Sequence, residues 1–341
     1  MVRRFAVALV AAGLLLGAGS ARAADKVTIA ALAFISSSPL FIAQEKGYYA
    51  DEGLEVEFKF FRAAQPVAVA IASGDADFGV TAFTAGFFNL AGKGALKVIG
   101  AQFREKKGYD GSAILVSNQA YDAGFTSVDK FPGHSYAMSQ VGSSFHYMIG
   151  RVAEGAGFDL ASVSLKPLQS VPNMIGALKS GQVDSMIIVP HIAKGLAKAG
   201  AAKIIGWVSD YAPYQVGGLF TSTKNVAERR DVVERFVRAY QRAATDYHAT
   251  MNKLDANGKR VFDDTSMATI ELINRYVYKD KPSADKIKAG AVYIDPMGRL
   301  DVGDVYKQIA WYKANKLVDD SVDPKAFIDT SFIDGHYNLP Q

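Results

Sequence analysis

The chain has 341 residues, 49% of them hydrophobic, with 38 Lys+Arg against 34 Asp+Glu and no cysteine. That length and apolar share suffice for one large core or two ordinary ones without disulfides. Thiol catalysis and thiol metal ligation are excluded, and the near-balanced charge argues against the clustered basic surface of a nucleic-acid partner.

The first element reads as a leader. Arg3 and Arg4 precede an apolar run over residues 5–16, and Ala21, Arg22 and Ala23 form a small-x-small cleavage site. This pattern predicts a secretory signal peptide over 1–24, with the mature chain starting at Ala24 or Asp25. The apolar run is too short to span a membrane. Removal of three arginines leaves 35 Lys+Arg against 34 Asp+Glu, a net charge of about +1. With no Cys to carry a lipid anchor, a periplasmic protein is expected.

From Lys26 onward strands and helices alternate. "KVTIAAL" is a short β-branched run, broken by Ser36, Ser37, Ser38 and Pro39 before a helical pattern begins. "EVEFKFF" alternates as a strand, "QPVAVAIASGD" is an Ala-rich helix closed by Gly74, and "ADFGVTAF" is a buried strand. The same order returns with "HSYAMSQ", "GSSFHYMIGRVAEGAG", "VSLKPLQ", "VPNMIGALKSGQ" and "VDSMIIVP". Strands separated by such helices imply parallel pairing in an α/β fold. "GSAILVSNQAY" and "YQVGGLFTSTKN" lack a following helix of that kind and are expected to link two lobes. Beyond Glu228 the pattern is mostly helical, with apolar positions at Val232, Val233, Phe236, Val237 and Tyr240.

The two runs share one signature. Ser73, Gly74 and Asp77 recur as Ser180, Gly181 and Asp184, a constant offset of 107 positions (184 − 77). This predicts one helix–turn–strand unit in each of two α/β halves. Ligands of open parallel sheets sit beyond the carboxyl ends of the strands, so two facing edges make a cleft.

Strand-end positions supply the candidate ligand contacts. In the first half these are Ser36, Ser37 and Ser38, where free helix N–H groups favour polar or anionic groups, then Gln65, Thr81, Phe83 and Thr84. In the second half they are Gly142, Ser143, Ser144 and Phe145, with His191 at the end of the repeat strand and Tyr214 before the return. No Arg or Lys falls at a predicted strand end, and Arg104 reads as part of a solvated loop. Phe34, Phe83, Phe145 and Tyr214 permit a planar organic solute. The Gly-x-Ser-x-Gly and His-Glu-x-x-His patterns are lacking, which weighs against hydrolase and metalloprotease chemistry.

Four stretches carry a family resemblance: "PLFIAQEKGYYADEGLEVEF" (39–58), "AIASGDADFGV" (70–80), "ALKSGQVDSMIIV" (177–189) and "VDPKAFIDTSFI" (322–333). They resemble periplasmic solute-binding proteins of ABC importers, in the NMT1/THI5-like group of nitrate, alkanesulfonate, taurine and thiamine-precursor binding proteins. The resemblance implies a two-lobed, hinged α/β fold (type II), with lobe 1 at 25–112 and 217–341 and lobe 2 at 113–216. It implies a monomer that closes on a small polar or anionic solute without cofactor or covalent chemistry. The solute then passes to a membrane permease with its cytoplasmic ATPase; the alternative is a ligand-sensing domain feeding a receptor, which the sequence does not separate from transport. Val189, Pro190 and His191 stand where many relatives have an acidic residue before Pro. The absence of cysteine separates the chain from thiamine-pyrimidine synthases of this fold.

Overall fold

A computed structural model describes residues 23–339, so the signal-peptide expectation falls outside the described residues except at its last two positions. The described residues form thirteen strands. β1 (Asp25–Ala31), β2 (Leu54–Phe60), β3 (Phe78–Ala82), β4 (Leu96–Ala101) and the short β5 (Phe103–Glu105) come first. β6 (Ala113–Val116), β7 (Ser135–Met138), β8 (Ser164–Pro167), β9 (Ser185–Ile188) and β10 (Lys203–Trp207) follow. β11 (Tyr214–Gln215), β12 (Gly217–Ser222) and β13 (Tyr293–Ile294) complete the set.

Two five-stranded sheets result, ordered β2-β1-β3-β12-β4 and β10-β6-β9-β7-β8. β1 pairs in parallel with β2 and β3, and β7 in parallel with β8 and β9. The expected linking strands β6 and β12 lie inside the sheets, each running antiparallel to both neighbours. The crossings themselves pass through β5 and β11, which pair antiparallel (Tyr214↔Glu105, Gln215↔Arg104) in a small third sheet with β13.

The sequence repeat has a structural counterpart in detail. The pair Thr28↔Glu57 is matched by Ser135↔Ser164, and Ile29↔Phe78 by Tyr136↔Ser185. Gly74 (φ +83°) and Gly181 (φ +73°) both adopt the left-handed conformation that ends a helix cheaply only at glycine. Their N–H groups donate to Ile71 O and Leu178 O, each at 3.2 Å. Asp77 Oδ2 accepts Thr28 N at 2.8 Å, and Asp184 Oδ2 accepts Ser135 N at 2.8 Å. Each repeat aspartate therefore ties the turn after its helix to the neighbouring parallel strand, satisfying an amide the sheet leaves unpaired.

The C-terminal third covers the first sheet. The Arg230–Met251 helix buries Val232, Val233, Phe236, Val237 and Tyr240, and Phe236 stacks on Phe78 with ring centroids 3.7 Å apart. Among the described residues no helix is long and apolar enough to cross a membrane.

Candidate functional site

A cavity of about 50 Å³ opens between the two halves, at the carboxyl ends of their strands. Leu32, Phe34 and Ser36 follow β1, Ala63 and Ala64 follow β2, Thr81 and Ala82 end β3, and Gln102 and Phe103 follow β4. The other half supplies Ser144, Phe145 and Met148 from the start of the Ser144–Ala156 helix, with Val171 and Val189. Ser112 and Val216 come from the two connecting segments. This is where open parallel sheets place ligands, because helix starts and freed strand ends converge there.

Four predicted contacts meet in this cavity: Ser36, Thr81, Ser144 and Phe145. The others are directed elsewhere. Residues 35–37 form a 3₁₀ turn, which rotates consecutive side chains, so only Ser36 of the serine triplet reaches the cavity. Ser37 is buried with an unpartnered hydroxyl, and Ser38 Oγ donates to Ile35 O at 2.6 Å. Gln65, expected at a strand end as a ligand contact, sits in the first turn of the Ala64–Ser73 helix and accepts the Thr84 hydroxyl at 2.5 Å. Thr84 in turn caps the next helix by accepting Phe87 N at 3.0 Å. Phe83 is core, packed on Phe87 and Phe88 with centroids 5.1 and 5.4 Å away.

Gly142 and Ser143 frame the site without lining it. Gly142 O accepts Ala85 N at 2.8 Å across the gap between the halves, and Ser143 Oγ caps its helix by accepting His146 N at 3.3 Å. His191 is buried behind Phe34, edge-on at 5.3 Å, and burial pushes its imidazole down to about 3. It is neutral at pH 7 and supplies no positive charge. Tyr214 is buried against Tyr147, 5.1 Å between centroids, with its hydroxyl unpartnered.

Gln102 and Phe103 were missed because "QFREKKGYDG" reads as solvated, and Ser112 because it falls in the linking strand "GSAILVSNQAY". A signal was available: Gln102 immediately follows β4, the kind of strand-end position that singled out Thr81 at the end of β3. Arg104 is no solvated loop residue either, since it pairs with Asp301 at 2.8 Å and Asp304 at 3.4 Å.

The cavity wall carries no ionisable side chain. Its polar groups are three Ser hydroxyls, one Thr hydroxyl and the Gln102 carboxamide, set among aromatic and aliphatic surface. Ala64 and Ser144 each begin a helix and add free N–H groups and the positive end of a helix dipole. Behind Ser112 lies Glu105, whose two carboxyl oxygens accept Ser112 N at 2.9 and 3.1 Å. Burial pushes this carboxyl up to about 7, against the lowering by its Ser112 hydrogen bonds.

Two facing α/β halves enclose a cleft lined by hydroxyls, a carboxamide and helix starts, an arrangement suited to holding a small molecule. The comparisons agree on the fold. The chain resembles the alkanesulfonate-binding protein SsuA from Xanthomonas axonopodis pv. citri bound to MOPS, with TM-score 0.70 and 17% identity over 90% of this chain and 98% of that one. It also resembles the ligand-binding component of an ABC-type import system from Staphylococcus aureus, with TM-score 0.67 and 14% identity over 90% and 97%. A desulfurization enzyme, DSZB, shares the architecture at TM-score 0.64 and 15% identity over 90% and 97%. Likeness at these identities establishes the fold, that of the periplasmic binding proteins. A comparison with curated proteins finds no match. The NMT1/THI5 like family model matches residues 35–251, and the chain belongs to that family.

Proposed function

We propose that this chain is the extracytoplasmic solute-binding component of an ABC importer, exported to the periplasm by its leader. It captures a small organic solute between two lobes, residues 25–112 with 217–341 and residues 113–216, and delivers it unaltered to a permease and its ATPase. The observation that supports this most is the cavity itself. Both halves contribute walls, and hydroxyls, helix starts and aromatic faces offer binding without a reacting group. A serine nucleophile would need a base, yet the nearby His146 already accepts Gly142 N through Nδ1 at 3.2 Å. Closure follows if the solute touches both lobes, since contacts made only in the closed form shift the equilibrium.

The test is a thermal-shift screen of the purified chain against sulfonates, nitrate, aromatic carboxylates and pyrimidine precursors. A true solute raises the transition by mass action. Ser144→Ala should then weaken binding roughly tenfold with little change in the empty protein. Ser143→Ala should lower the empty protein's stability by about 1 kcal/mol, as loss of a helix cap does. Turnover of any bound compound, or no stabilisation by any class, would sink the reading.

A further inference from the structure

We propose that the solute is uncharged and presents an amide-type edge, a carbonyl oxygen beside an N–H, to the Gln102 carboxamide. The inference rests on the binding-protein reading above and narrows it to a chemical class.

Gln102 is 4% exposed, lines the cavity, and its Oε1 has no hydrogen-bond partner. Its backbone is held in place by donation from Gln102 N to Gly217 O at 3.1 Å. A Cβ on Gly217 would stand 2.1 Å from Thr81 O and 2.6 Å from Oε1, so only glycine fits between the β3 backbone and the carboxamide. A buried acceptor without a donor costs about 1–3 kcal/mol, and a solute N–H removes that cost. The carboxamide also carries donors beside its acceptor, so it matches an edge of the opposite pattern, donor to acceptor and acceptor to donor. A sulfonate or carboxylate offers acceptors only and leaves Oε1 unmet.

The charge environment points the same way. No cationic side chain lines the wall, His191 is neutral behind Phe34, and the Glu105 carboxyl lies behind Ser112. A desolvated anion there would lack a counter-charge and face a carboxyl that ionises near neutral pH. The helix starts at Ala64 and Ser144 and the hydroxyls of Ser36 and Thr81 are strong enough for a carbonyl oxygen, which carries only partial charge. Phe34, Phe103 and Phe145 give a ring its apolar faces.

Three probes with one ring separate the possibilities: benzamide, benzoate and benzenesulfonate, titrated calorimetrically into the mature chain at pH 7.5. Benzamide is expected to bind at least about tenfold more tightly than either anion. Gln102→Leu should lose roughly tenfold or more of the benzamide affinity, while the empty variant melts at the wild-type temperature or above because an unmet polar atom is gone. Gln102→Glu, of the same size, should also weaken benzamide and serves if the leucine variant does not fold. Benzoate or benzenesulfonate binding as tightly as benzamide would overturn the amide edge while leaving solute capture standing. Wild-type benzamide affinity in both variants, or no benzamide binding at all, overturns it as well. Solute capture itself fails if the broader screen is also blank.

Discussion

Glu105 shows how one side chain near the site couples to the stability of the whole. It is fully buried, and its pKa rises from 4.5 to about 7 because ionisation would strand a charge in a dry interior. A raised carboxyl pKa means its folded-state advantage is present below pH 4.5 and is lost as pH climbs through about 7. Glu105→Gln, which mimics the protonated acid, should therefore match wild type at pH 4 and exceed it at pH 8. The difference is on the order of 3 kcal/mol, read from urea unfolding at both pH values. At this same scale the sequence showed part of the cavity wall. Strand-end reasoning found Ser36, Thr81, Ser144 and Phe145 because backbone topology alone sets where a strand ends. It could not say that Thr84 turns to a helix N–H and Phe83 to the core, since those choices depend on neighbours distant in the chain.

Among elements, the duplicated helix–turn–strand unit is the organising feature. Asp77 and Asp184 hold equivalent strand amides, and Asp77 also receives Arg229 Nη1 at 2.8 Å from the C-terminal helices. Asp77→Ala and Asp184→Ala should each cost about 1–3 kcal/mol, because each leaves a strand N–H unsatisfied. The sites lie in separate halves without shared partners, so chemical denaturation of the double variant should give the sum. A loss confined to one half would show that the repeat is matched in geometry but not in energetics. The periodic helix over 230–251 and strands β1–β3, β6–β9 and β12 were legible because their apolar spacing is local, whereas the edge strands β4 and β10 were not expected. The roles of β5 and β11 were not, since strands of three and two residues leave too short a pattern.

For the whole molecule, the contact between halves is the point of leverage. Gly142 has φ +78°, and a Cβ there would sit 2.8 Å from the Ala85 Cβ, while its carbonyl accepts Ala85 N. Tyr312 OH adds a second tie by donating to Ser143 O at 3.1 Å. Gly142→Val should strain the backbone and hold the halves apart. The expected result is roughly tenfold weaker solute binding and a larger solute-bound radius of gyration in X-ray scattering than wild type. An unchanged radius and affinity would show that closure does not depend on this contact.

The sequence by itself determined the alternation of strands and helices, the doubled unit and its 107-residue spacing, and the absence of thiol chemistry. These are local or compositional properties, written in periodicity and residue type. Only the tertiary structure decided which hydroxyls face the cavity, that Gln102 and Ser112 join them, and that no charge stands on the wall. Side-chain direction and desolvation are set by residues a hundred or more positions apart, and no single stretch of chain contains them.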